Sequence, residues 1–268
     1  MSRVDFFCKL SDRVIIEVSG TDRATFLQGL ITNDVVLVEK EHIIYTLMLS
    51  PQGKFQYDFF IINAGNSWWI DIDASRADSL IQRLHLFKLH AKVDITKTDV
   101  GVWVSSKVIC DGVCVQDPRL SALGYRFYSK NTELKEDSKD VYENLRLSLG
   151  IPDGVNDMVI DKSIPLEWGM DELKAISWDK GCYMGQELTA RSRYVGQIRK
   201  RSFPIEFADA AGFEIGAPLC IKQEAVGELR TFTDNFGIAL IRLDAIASGD
   251  LIKIANQPIK IHKPTWMK

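Results

Sequence analysis

The hydrophobic pattern of this chain changes near residue 199, and a chain with two patterns needs two architectures. Before that point, strand-like and helix-like segments alternate. Residues 14–18 read as a strand, followed by a short amphipathic helix over 22–30 with Thr21 as its cap. Residues 43–49 and 55–62 form a strand pair around the turn Pro51-Gln52-Gly53-Lys54, and a strand over 68–72 extends them into an antiparallel meander. Apolar residues at Ala77, Leu80, Ile81, Leu84 and Phe87 give 76–89 helical spacing, and 93–95 follows as a strand. Strand signals resume from 100 to 128, with turns at Asp111-Gly112 and around Gly124, and a helix over 140–149 ends at Gly150-Ile151-Pro152. Beyond 199 there are only short strands parted by Gly turns, at 203–207, 218–221, 225–232, 236–240, 251–254 and 259–262, with no helix longer than a turn or two. That pattern fits a small barrel or sandwich. The expected fold class is α+β, with mixed units over 1–97 and 98–197 and a C-terminal β-barrel over 198–268.

The 268 residues are 46% hydrophobic and 26% charged, as in an ordinary globular protein with chain enough to bury a core. A net charge of −3 gives no global field toward nucleic acid or an anionic membrane. The basic stretch Arg191, Arg193, Arg199, Lys200 and Arg201 suits only a local anionic partner. No apolar run reaches the roughly 18 residues a spanning helix needs. Met1-Ser2-Arg3-Val4-Asp5 is neither a secretory signal nor an acid-free presequence, so the expected location is the cytoplasm, as in a bacterium, or else the mitochondrial matrix. The cysteines Cys8, Cys110, Cys114, Cys182 and Cys220 are odd in number and scattered, as in a reducing compartment. His42, His85, His90 and His262 show no metal-ligand spacing, and no resident metal is expected. Cys110 and Cys114 read as small hydrophobes flanking a hairpin turn at Asp111-Gly112, with a metal or redox pair as the alternative.

One segment concentrates chemistry: Lys180-Gly181-Cys182-Tyr183-Met184-Gly185-Gln186-Glu187, with Arg191 four residues on. Gly181 and Gly185 allow a sharp turn and close backbone approach. Helix formers from about 184 to 193 place Cys182 near a helix N-terminus, and that position and Lys180 both favour thiolate. Such a thiolate could act as nucleophile, metal or cluster ligand, or redox sensor. The same residues also suit a buried Cys in a Gly-rich loop that packs a helix against a sheet.

Lys180-Gly181-Cys182-Tyr183-x-Gly185-Gln186-Glu187-x-x-x-Arg191 resembles the signature of the YgfZ family at every defined position. Residues 26–35, Ser50-Pro51-Gln52-Gly53-Lys54 leading to Tyr57-Asp58, Arg146 with Gly150-Ile151-Pro152, and Pro165-x-Glu167 are similar to other parts of that family. The likeness weakens over 98–136 and after about 205. The family is related to the aminomethyltransferase (T-protein) of the glycine cleavage system. The resemblance implies two ferredoxin-like units and a barrel around a tetrahydrofolate site, in a protein that supports assembly or repair of iron–sulfur clusters.

A folate needs a slot for its pterin, polar groups for its amide edge and cations for its glutamate tail. On that resemblance Glu167 would pair with the pterin N–H groups. Asn33 and Asp34 would face the cleft from a turn, or simply end a helix. Tyr183 would stack on a ring or fill core, and Arg191, with Arg193 as a weaker candidate, would hold the tail or stay solvated. Gln186 and Glu187 complete the expected folate set, while Cys182 and Lys180 form the expected functional thiol pair. Aminomethyltransferases carry two adjacent acids where this chain has Tyr57-Asp58, so a tetrahydrofolate-binding accessory factor is expected ahead of a folate-dependent one-carbon transferase. Asp58, flanked by Tyr57 and Phe59, is expected to face solvent and is not read as catalytic. A thiol-based cluster carrier is the third reading. The expected partners are folate and iron–sulfur client or assembly proteins, with no membrane and no specific nucleic acid.

Overall fold

The computed structural model describes residues 5–196 and 198–268; the N-terminal reading of residues 1–4 and the expected unit boundary at residue 197 lie outside them. Strands β1 (Phe7–Lys9) and β2 (Arg13–Ser19) lead into the short helices α1 (Arg23–Gln28) and α2 (Val36–Glu41). There follow β3 (Ile43–Leu49), β4 (Phe55–Asn63), β5 (Trp68–Asp73), the long helix α3 (Ala74–Lys88) and β6 (Asp94–Lys97). These strands make a five-stranded antiparallel sheet in the order β3-β4-β5-β2-β6. Strands β7 (Gly101–Ser105), β8 (Val113–Gln116) and β9 (Tyr125–Ser129) form a second sheet, ordered β1-β7-β9-β8. Strand β1 therefore joins the second sheet, although its residues precede the first.

Helices α4 (Lys139–Ser148), α5 (Gly154–Asp157) and α6 (Gln186–Tyr194) connect this body to the last unit. That unit holds β10 (Lys200–Glu206), β11 (Pro218–Ile221), β12 (Glu224–Phe232), β13 (Phe236–Arg242), α7 (Leu243–Ser248), β14 (Lys253–Ile254), β15 (Gln257–Pro258) and β16 (Lys260–Ile261). Its sheet runs β15-β14-β11-β12-β13-β10-β16, and the two end strands are separated in sequence by Ile259 alone, so the sheet curls into a nearly closed barrel. The α+β body with a C-terminal barrel is the architecture the sequence implies.

The first sheet is covered on both sides. Along β3, Ile43, Tyr45, Leu47 and Leu49 enter one hydrophobic core while Ile44 and Met48 enter another. Along β4, Tyr57, Phe59 and Ile61 face the second core and Phe60 and Ile62 the first, which puts Asp58 on the inner face as well. Both strands are thus buried on both faces, β4 with its polar Gln56 and Asp58 included. This overturns one expectation: Asp58 is 7% exposed rather than solvated, because the sheet has no solvent face for it.

Three local readings also change. Asp22, not Thr21, occupies the cap position of α1, and its carboxylate accepts from the Lys92 N–H instead of capping the helix. Helix α2, with six residues, is too short to show a period and was invisible in the sequence. Asp111-Gly112 does not join a hairpin, since β7 and β8 both pair with β9 and not with each other. Cys110 is accordingly exposed, and only Cys114 is partly packed, its Sγ accepting from the Ile109 N–H.

Candidate functional site

The loop over residues 180–185 is held at both ends. The Lys180 ammonium is buried and donates to the carbonyls of Gln28 (2.6 Å), Ile31 (2.7 Å) and Asn33 (2.8 Å). Three donors meet three carbonyls at the end of α1, where helix carbonyls lack partners of their own. Burial pulls Lys180 down to about 8. Lys180 is therefore a tie between the loop and the first unit, not the activator of Cys182 that the sequence suggested. The Met184 N–H adds a bond to the Gly29 carbonyl at 3.2 Å.

At the other end Gly185 adopts φ +84°, and a Cβ there would sit 2.5 Å from the Ser50 carbonyl oxygen and 3.1 Å from the Gly53 Cα. Gly53, also left-handed at φ +69°, returns the contact against the Gly185 carbonyl. The turn Ser50–Lys54 and the 180–185 loop thus touch backbone to backbone, which only two glycines permit. Gly185 caps α6. Cys182 lies three residues ahead of that cap and is exposed, as is Gly181, which has open space beside it. The buried-Cys alternative is excluded by this exposure. Tyr183 points inward: its ring joins the main core, its hydroxyl is buried without a partner among the described residues, and burial pushes it up to about 12. Gln186 is half-buried, and Glu187 and Arg191 are exposed along α6. Arg193 stacks over the Trp178 ring at 4.1 Å.

The other expected folate residues divide. Asn33 is buried and its amide donates to the carbonyls of Tyr45 and Lys174, both at 2.8 Å, while its own oxygen accepts from the Asp34 N–H. Asp34 accepts from Gln28 Nε2 and the Val36 N–H, both at 3.0 Å. These two side chains hold the 28–36 turn together. Glu167, in the 3₁₀ turn Pro165–Trp168, is half-buried and accepts no side-chain hydrogen bond among the described residues. Burial raises its carboxyl, and Lys200 and Lys54 pull it back. Because Lys54 belongs to the turn that meets Gly185, Glu167 and the cysteine loop share one neighbour.

A second centre went unread. Asp58 accepts from the Tyr45 hydroxyl at 2.9 Å, and burial together with nearby Asp153 pushes it up to about 6. Burial would raise Asp153 too, but Arg146 and Arg13 hold it below the usual range. Around them, Arg119 makes paired bonds to Asp117 (3.0 and 2.7 Å), and Asp71 takes both Arg13 (2.7 Å) and Arg126 (2.5 Å). Partners such as Arg126 and Asp71 lie 55 residues apart, so no local pattern announces them. The chamber left between Asp58, Arg13, Arg119 and Arg146 measures about 30 Å³, the space of one water. A Cβ on Gly154 would stand 1.9 Å from Asp58 Oδ1, so the backbone at Gly154 packs directly on the carboxylate. The residues around Asp58 do not fit a folate.

With this geometry in place, the chain can be set beside known proteins. Residues 199–268 match the family model described as CAF17, C-terminal beta-barrel domain. The iron-sulfur cluster assembly factor IBA57 homolog, mitochondrial, of Coccidioides immitis is 30% identical over 96% of this chain and 76% of that protein. The homolog of Pyricularia oryzae is 32% identical over 76% of this chain but 58% of its own length, and that of Mycosarcoma maydis is spanned to 56%, so the chain covers little more than half of these two relatives. Among solved structures, the glycine cleavage system aminomethyltransferase T from Bartonella henselae superposes with a TM-score of 0.77 over 97% of this chain and 86% of that one, at 12% identity. That likeness is one of fold. A match that spans body and barrel, to the Coccidioides protein, places the chain in the family of IBA57-type iron–sulfur cluster assembly factors.

Proposed function

We propose that this protein serves iron–sulfur cluster assembly through Cys182, as the thiolate that meets a cluster carried as cargo. The observation that carries the reading is an exposed cysteine at the tip of a loop whose flanks are fixed by Lys180 and by the Gly53–Gly185 contact. A fixed, exposed thiol is presented outward, and one thiolate cannot complete a four-cysteine site. A partner protein therefore supplies the remaining ligands, either the client enzyme or another assembly protein. The names of the relatives support this role and favour a mitochondrial location. The bacterial cytoplasm has no such support.

The finer part of the proposal is tetrahydrofolate binding, as the YgfZ resemblance implies. Support comes from the aminomethyltransferase-like fold and from Glu167, a half-buried carboxylate that no side chain hydrogen-bonds among the described residues. Any folate would lie on the Glu167 side, with Arg191 exposed on α6, and not against Asp58. The one-carbon transferase alternative depends on Asp58 reaching a substrate, and the small size of the chamber disfavours it. Anaerobic calorimetric titration of tetrahydrofolate separates these parts. Micromolar binding by wild type and by Cys182→Ser, weakened about tenfold or more in Glu167→Gln, is the expected result for a bidentate carboxylate contact. No binding by wild type would remove folate and leave the cysteine-centred function alone.

A further inference from the structure

The barrel carries a cleft that the cluster chemistry does not use. It measures about 780 Å³ and lies between β10, β16, α7 and the loop at 249–252. Volumes of this order are typical of small-molecule sites, which are mostly apolar with a few placed polar groups. The lining here has that composition. Phe203, Ile252 and Met267 come from the barrel core, and Leu243, Ile246 and Leu251 from the helix and loop opposite. Leu251 is 60% exposed, an uncovered apolar group at the cleft wall.

The charged lining is mostly of one sign. Arg201, Lys260, Lys263 and Lys268 all come from β10 and the segment 260–268, and the lining contains a single acid, Asp250. Arg201 is tied to Glu172 and Lys260 to Glu206. Lys263 and Lys268 are exposed and make no side-chain ion pair among the described residues. Arg201 also keeps a buried Nε–H with no acceptor. An apolar lining edged by cations suits a ligand with a tail and an anionic head.

We propose that this cleft binds an amphipathic carboxylate, an unbranched alkyl chain of medium length with its head against Lys263 and Lys268. The chain removes the apolar walls from water. The head neutralises two unpaired ammonium groups, a charge-assisted contact that a neutral or cationic head cannot make. An acidic amphipathic helix of a partner is the competing occupant. It is less well suited, because a helix brings several acids along one face, whereas two of the four cations, Arg201 and Lys260, already hold acids of this chain.

The test uses the full-length protein and the fluorescent probe 11-(dansylamino)undecanoate, displaced by dodecanoate, dodecanol or dodecylammonium below their micelle-forming concentrations. Saturable binding with dodecanoate displacing the probe about tenfold better than the alcohol or the amine is expected. The surface variants Lys263→Glu with Lys268→Glu, and separately Leu251→Asp, should weaken binding about tenfold with unchanged thermal unfolding. Equal displacement by all three compounds would show a generic apolar surface and overturn the proposal. Failure of the probe to bind would overturn it too, and would leave a protein helix as the occupant.

Discussion

Asp58 shows how one residue can be placed by its surroundings against its own chemistry. A carboxylate inside a covered sheet loses hydration, and Asp153 beside it adds repulsion, so its proton is held up to about pH 6. In the unfolded chain the same group releases its proton near 3.8. A folded value above the unfolded one contributes stability that is full below the lower value and lost as pH rises through the upper one. Asp58→Asn keeps an oxygen for the Tyr45 hydroxyl and removes that loss. The variant should be more stable than wild type by about 3 kcal/mol at pH 7.5 and nearly indistinguishable near pH 3. Urea unfolding at the two pH values measures it, and an equal shift at both would refute the assignment. Lys180 makes the complementary point. Its position two residues before a cysteine suggested electrostatic activation, yet its three bonds to carbonyls of the 28–33 turn show that spacing in sequence says little about which way a long side chain turns.

Among the elements, the contact between the Ser50–Lys54 turn and the start of α6 positions the exposed cysteine. Both participants were visible in the sequence as Gly-containing motifs, because turns and helix starts are governed by local backbone chemistry. That they touch was not visible, since nothing local links Gly53 to Gly185. Gly185→Ala would force a Cβ to within 2.5 Å of the Ser50 carbonyl at a left-handed φ. The expected cost is about 2 kcal/mol, with α6 and the Cys182 loop displaced from the turn. Thermal unfolding reads the first effect. Faster labelling of buried amides over 183–189 in hydrogen exchange reads the second. The error at Asp111-Gly112 has the same origin as the unseen glycine contact. The dipeptide does bend the chain, but strand order is decided by β9 inserting between β7 and β8, a long-range pairing.

At the scale of the whole molecule, the two body sheets are joined by buried charge as well as by a hydrophobic core. Arg13 on β2 and Asp71 on β5 belong to the first sheet, and Arg126 and Tyr128 on β9 to the second. Asp71 is 0% exposed and accepts from Arg13, Arg126 and the Tyr128 hydroxyl. Replacing it by alanine leaves two buried guanidinium groups without their acid. Asp71→Ala should cost about 4 kcal/mol, whereas removing an exposed pair such as Lys130–Asp99 should change stability little. The three-part architecture was legible because hydrophobic periodicity reports elements and their kind. The charged centre was not, because its members come from separate strands, from the loop after β8 and from α4 and the cap of α5.

The central claim is that Cys182 works as an outward-facing thiol on a fixed loop. Its most direct test is anaerobic transfer of iron–sulfur clusters to an apo [4Fe–4S] client, followed by client absorbance and activity, with wild type and Cys182→Ser compared at matched folding. Cys182 is exposed and no neighbour depends on its sulfur, so the variant should unfold with wild-type stability and fail to support client maturation. Full maturation with Cys182→Ser would contradict the account and assign the function to another part of the molecule.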